Sequence, residues 1–265
     1  MLCLFIKKHE TVLFQICKMD KKIAIELKHV SISYLHNKKG IYSIKDFFTK
    51  GGFMSPFDKK VVLSDINLTV YEGQSIGILG KNGDGKSTLL RTIACIMKPD
   101  KGDCTVNVEI SPLLALGVGL ELELTGIENI KIYLALSRKY SKSTINYKIK
   151  EISDFSELSM EQLNLPIKMY STGMLSRLAF STVMATEPKL LMIDEVLAVG
   201  DKGFQEKCKK KIHEIKNSGA TILFVSHNPD EVLEICDRGI CLKDGKVICD
   251  GTSKEAVDVY NKLFA

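Results

Sequence analysis

The stretch Gln74-Ser75-Ile76-Gly77-Ile78-Leu79-Gly80-Lys81-Asn82-Gly83-Asp84-Gly85-Lys86-Ser87-Thr88 decides how this chain folds. Its first six residues read as a buried strand, and Gly80 to Ser87 fits the pattern G-x-x-x-x-G-K-[ST]. Gly80, Gly83 and Gly85 let the backbone wrap closely round an anion, because no Cβ intervenes. The loop's N–H groups then form a nest, and the next helix adds its positive end. Lys86 is placed to reach the β- and γ-phosphates and Ser87 to ligate Mg²⁺. Thr88 to Met97 reads as the outgoing helix, stopped before Pro99. The pattern implies a bound nucleoside triphosphate.

Working outward, Ile23 to Tyr34 alternates as a half-buried strand does, and Val61 to Tyr71 resumes that pattern. Between them lie polar and aromatic segments with a possible short helix over Ile44 to Phe48. Thr105 to Leu116 is short apolar β-like material, and Thr125-Gly126-Ile127-Glu128 is a capping box opening a helix. Leu190 to Ile193 and Thr221 to Val225 are continuous apolar runs, as in parallel strands covered on both faces. Asn228-Pro229 starts another helix, Gly239 to Val247 reads as a hairpin turning at Asp244-Gly245, and a last helix begins near Ser253. Strands alternating with helices round a phosphate loop predict an α/β core, with a helical insertion over about residues 111–187.

The 265 residues are enough for one large domain with a substantial core. The net charge of +5 is modest and its lysine runs are scattered, which reads as solvated faces, with an anionic membrane surface or lipid as the alternative; no nucleic-acid partner is expected. Eight cysteines show no C-x-x-C and no zinc-like spacing; Cys95, Cys236 and Cys241 sit among apolar neighbours and read as reduced core thiols. No stretch approaches the roughly 18–20 apolar residues that span a bilayer. Residues 1–21 read as a leader of uncertain status, and Met19 is an alternative start.

Asp194-Glu195 ends the buried run Leu190 to Ile193. Triphosphate hydrolysis needs a carboxylate for Mg²⁺ and a group that positions or deprotonates water; Asp194 suits the first role and Glu195 the second. His227 follows the other buried run, on the edge where parallel sheets hold ligands. Ser171, Thr172, Gly173 and Met174 open an amphipathic run, where a hydroxyl and a glycine at a helix start make a second anion site.

With these motifs in view, residues 22–251 resemble the ATP-binding-cassette (ABC) ATPases. The phosphate loop, Tyr170-Ser171-Thr172-Gly173-Met174 as signature, Leu190 to Glu195, Asp201 as D-loop and His227 as switch fall in family order. The resemblance implies an α/β fold: a phosphate-loop, RecA-like core, an antiparallel β subdomain, an inserted helical subdomain and a C-terminal helix over residues 252–265. It also implies ATP and Mg²⁺ as cofactors, Tyr34 stacking on adenine, and a homodimer in which each ATP meets the other subunit's Ser171 and Gly173. The departures narrow it. The signature differs from Leu-Ser-Gly-Gly-Gln, Val196-Leu197-Ala198-Val199-Gly200-Asp201 replaces the usual D-loop, and Leu113 to Ile130 holds no glutamine. Glu121 and Leu122 stand where His and Pro are frequent. These features look like the polysaccharide-exporter branch. They imply a peripheral ATPase at the cytoplasmic face of the cytoplasmic membrane. Its partner would be an ABC-2-type integral-membrane permease that moves a lipid-linked glycan such as O-antigen, capsular polysaccharide or teichoic acid. The alternative is the ATPase of an importer or small-molecule exporter.

Overall fold

The computed structural model describes residues 22–37, 57–113, 120–137, 139–194 and 201–264. The leader, the possible helix at Ile44 to Phe48, residues 114–119 of the glutamine-free segment, and Glu195 with residues 196–200 lie outside the described residues.

Two sheets form the frame. In the first, β1 (Ile23–Asn37) runs antiparallel between β2 (Phe57–Tyr71) and β4 (Lys101–Val106). The second orders β5 (Ile110–Leu113), β6 (Leu190–Asp194), β7 (Thr221–Val225), β3 (Ser75–Leu79), β8 (Arg238–Lys243) and β9 (Lys246–Thr252). Its first five strands are parallel, and β9 returns antiparallel through the turn at Asp244 and Gly245. Both turn residues have positive φ, 50° and 74°, as a two-residue hairpin of this twist requires.

The continuous apolar runs of β6 and β7 are explained by burial on both faces. Leu191, Ile193, Ile222 and Phe224 face one core. It is closed by α5 (Thr172–Met184), α6 (Lys202–Asn217), α7 (Pro229–Ile235) and α8 (Ser253–Phe264). Leu190, Met192, Leu223 and Val225 face a second core, filled by α1 (Lys86–Ile93) and the inner face of the antiparallel sheet. Each fully buried aliphatic or aromatic side chain contributes about 1.5–3 kcal/mol. Losing the cover on either face would therefore expose every second residue of both strands.

The insertion has its own core. There α2 (Gly126–Leu136), α3 (Lys142–Ser156), α4 (Met160–Leu163) and a 3₁₀ turn (Ile167–Met169) pack Ile130, Leu134, Ile152 and Leu163 together with Leu178 of α5. Three phenylalanines join this unit to the sheet. Phe180 of α5 stacks on Phe155 of α3, with centroids 6.0 Å apart, and meets Phe204 of α6 edge-on at 6.2 Å.

Three expectations need correction. The insertion does not begin near residue 111, because Ser111 lies within β5, paired with Leu191 of β6; the β-like reading of Thr105 to Leu116 overlaps the expected insertion there. The outgoing helix ends at Ile93, not Met97. Cys95 takes φ 58° while Ile96 N–H donates to the Arg91 carbonyl and Cys95 N–H to that of Thr92, a helix stop normally built on glycine. That stop also leaves Cys95 exposed, whereas Cys236 and Cys241 are buried as expected.

Candidate nucleotide site

Strand register assembles the site. Asp194, the last residue of β6, pairs with Val225 of β7, and Val225 pairs with Ile78 of β3. Gly80 therefore follows β3, Asp194 ends β6 and His227 follows β7, all at one carboxyl edge of three adjacent strands. That edge is where open α/β sheets bind ligands.

The phosphate loop is held in shape by its own atoms. Gly83 and Gly85 have φ 94° and 100°, conformations that L side chains rarely adopt. A Cβ at Gly85 would stand 2.9 Å from the Val62 carbonyl oxygen of β2, so the loop is wedged against the antiparallel sheet. Lys86, 6% exposed, folds back over the loop, its Nζ donating to the carbonyls of Gly80 at 2.8 Å and Lys81 at 3.1 Å. Lys81, Asn82 and Gly83 are exposed at the rim, while Ser87 and Thr88 begin α1 directly behind them. An ammonium and successive N–H groups at a helix start converge here, which is the chemistry of a polyphosphate site. Tyr34 reaches the same place from β1, its hydroxyl 3.4 Å from Thr88 Oγ1 and donating to Met97 Sδ at 3.1 Å.

The second candidate anion site is separate. Tyr170 is anchored first: its hydroxyl donates to the Gln162 carbonyl at 2.8 Å, passing so close to Gly126 that a Cβ there would lie 2.3 Å from it. Burial pushes that phenol up to about 12. Ser171 then caps α5, its Oγ accepting from Met174 N–H at 3.2 Å. Ser171, Gly173 and Met174 line a cleft with Glu157, Arg177 and Asp201, and no phosphate-loop residue lines it. Within one chain the structure does not bring the two motifs together.

Asp201 starts α6, its Oδ1 accepting from Phe204 N–H at 3.0 Å, while its Oδ2 accepts from Arg177 Nη2 at 2.6 Å. The Phe204 N–H, and after it the Arg177 guanidinium, hold its exposed carboxyl below the usual carboxylate range. Arg177 also pairs with Glu157 and lies over the Phe204 ring at 4.6 Å. Sequence reasoning passed over Arg177. The signal available was its place six residues after Ser171, on the face of α5 that also carries Gly173 and Met174.

Glu121 and Leu122 flank the entry to α2. Buried Asn129 holds Glu121, its Oδ1 accepting from Glu121 N–H at 2.7 Å and its Nδ2 donating to the carbonyls of Glu121 and Thr125 at 3.0 and 2.9 Å, while the Leu122 carbonyl accepts from Lys168 N–H at 3.0 Å. Leu122 is exposed beside this anchor.

Comparison with known proteins agrees with this geometry. The ABC transporter family model matches residues 63–198, more than half of the chain. The chain belongs to the ABC transporter family, as an ATPase subunit. It is 42% identical over 210 residues to the O-antigen export system ATP-binding protein RfbB of Klebsiella pneumoniae, covering 78% of this chain and 83% of that one. It is 39% identical over 248 residues to the teichoic acids export ATP-binding protein TagH of Listeria monocytogenes, covering 92% of this chain and 72% of that protein. A dimeric ATP-binding cassette solved in a post-hydrolysis state with ADP and Pi superposes with a TM-score of 0.70, at 24% identity and 86% coverage of this chain and 98% of that one, which establishes the fold.

Proposed function

We propose that this chain is the ATP-hydrolysing subunit of an exporter that moves a lipid-linked polysaccharide across the cytoplasmic membrane. The observation that carries the mechanism is the separation of the two anion sites. A phosphate loop lies at one sheet edge, and a capped glycine-bearing helix start opens on a different cleft. Two copies arranged head to tail would close each loop with the other copy's Ser171, Thr172, Gly173 and Met174. The relatives named for O-antigen and teichoic acid export support the glycan class.

In this reading the loop N–H groups and Lys86 bind the β- and γ-phosphates, and Tyr34 stacks on adenine. Ser87 and Asp194 would hold Mg²⁺. A hydroxyl and one carboxylate are hard oxygen donors of the kind that Mg²⁺ shares with substrate phosphates. Among the described residues no cluster of three or more His, Cys, Asp or Glu side chains offers an all-protein cage instead. Bound there, the ion neutralises phosphate charge. Glu195 would position or deprotonate the attacking water, and His227 would sense or position the γ-phosphate. Asp201, paired with Arg177 of its own chain, lines the cleft that the second copy's phosphate loop would close.

No helix among the described residues is long and apolar enough to cross a membrane, so translocation on this reading falls to a separate ABC-2-type permease. The exposed Leu122, beside the Asn129 anchor, marks the side of the helical unit offered to it. The test is steady-state hydrolysis by the purified protein with Glu195→Gln beside it. The variant is expected to bind ATP and elute as a dimer without turnover; normal turnover would remove Glu195 from the mechanism.

A further inference from the structure

Asp84 occupies a variable position of the phosphate-loop pattern, yet it is 9% exposed and both its oxygens are engaged. Oδ2 accepts from Lys81 N–H at 2.6 Å, inside the loop, and Oδ1 accepts from Asp244 N–H at 3.1 Å, in the β8–β9 turn 160 residues away. That turn is itself fixed. Ser64 N–H of β2 donates to the Gly245 carbonyl at 2.8 Å, and a Cβ on Gly245 would stand 2.2 Å from the Val62 carbonyl oxygen. The same Lys81 whose N–H is held by Asp84 places its ammonium 4.8 Å over the Phe264 ring, at the end of α8.

We infer that Asp84 is a positioning residue that clamps the phosphate loop to the β8–β9 turn and so holds it in its nucleotide-binding shape. Only a carboxylate can do this. Asparagine offers one acceptor oxygen, and its amide group would face an N–H at the other contact. The clamp fixes Lys81, whose carbonyl, with that of Gly80, is the platform for Lys86. A loop ordered in advance loses less freedom when the nucleotide binds.

The proposal rests on ATP binding at this loop, and the sign of one substitution separates it from simple electrostatics. Asp84 puts a negative charge beside a site for anions, so charge removal alone predicts that Asp84→Asn binds ATP more tightly. Loss of the clamp predicts the reverse, a dissociation constant weakened by about tenfold, as for one hydrogen bond to a charged group.

The full-length protein is titrated with a fluorescent ATP analogue as wild type, Asp84→Asn, Gly245→Ala and the double variant. Gly245→Ala displaces the turn without touching the loop sequence. Both single variants are expected to weaken binding about tenfold, with KM for ATP rising in step and kcat within about twofold. The double variant is expected to be no worse than the worse single one, because both break one link. Unchanged or tighter binding by Asp84→Asn, or effects that multiply, would overturn the clamp. Absence of binding by the wild type would instead overturn the nucleotide site itself. Should Asp84→Asn not fold, Gly245→Ala alone decides, since unchanged affinity there refutes the link.

Discussion

Gly85→Ala tests the wedge between the phosphate loop and the antiparallel sheet. Gly85 caps α1 with φ 100° and ψ 6°, and a side chain held in such a region costs about 1–3 kcal/mol. The new Cβ would also meet Leu63 Cδ2 at 2.7 Å and the Val62 carbonyl oxygen at 2.9 Å. The leucine can rotate, but the carbonyl belongs to β2 and cannot, so overpacking adds about 1–3 kcal/mol. A domain is stable by only about 5–15 kcal/mol, so the cheaper response is for the loop to shift and the rest to stay folded. A shift that avoids about 3 kcal/mol leaves the binding arrangement populated more than about a hundredfold less. Gly83→Ala is the control: its φ of 94° is as strained, but nothing lies within 4 Å of its Cβ. ATP binding followed by fluorescence titration is expected to weaken in both variants, with Gly85→Ala the worse by about tenfold for its added contact term. Both proteins are expected to melt cooperatively. Wild-type affinity in Gly85→Ala, or Gly83→Ala being the more damaged, would refute the wedge.

The same geometry sets two other outcomes. Gly173→Ala meets only Ser171 Oγ at 3.9 Å and lies in the first turn of α5, so folding stability should rise by about 0.5–1 kcal/mol. ATP binding to the variant's own loop should be unchanged while ATPase activity falls, and full activity would show that Gly173 does not close on a second copy's nucleotide. At alkaline pH, burial pushes Cys208 and Cys236 up to about 12, and Tyr133 and Tyr170 likewise, burial being the leading cause in each. Above about pH 9 the unfolded chain therefore binds fewer protons at these thiols than the native state, and stability falls as pH rises. Urea midpoints at pH 8 and pH 10 measure this; a higher midpoint at pH 10 would contradict it.

Local pattern carried far in this chain. The phosphate loop, the capping box at Thr125, the proline-started α7 and the turn at Asp244 and Gly245 were legible because each is specified by neighbours within a few residues. The buried runs of β6 and β7 were legible because two-sided burial leaves no polar alternation to confuse. What escaped notice depends on distant partners. Asp84 reads as an arbitrary loop residue until Asp244 is placed beside it. Arg177 reads as a solvated helix residue until Glu157, Asp201 and Phe204 surround it. Cys95 misled because apolar neighbours in sequence suggest a core, whereas the helix stop at Ile93 turns it outward. The start of the insertion was hidden because β5 is short and its apolar run carries on past the strand.

The central claim is that ATP turnover by this chain drives export of a surface glycan. The most direct measurement replaces Glu195 with Gln in the chromosome of the source organism and displays its extracted surface glycans on a gel. Loss of the long-chain ladder is expected, with lipid-linked polymer accumulating inside the cell. An unchanged glycan profile, in cells with no second exporter, would contradict it and return the chain to another branch of the same transporter family.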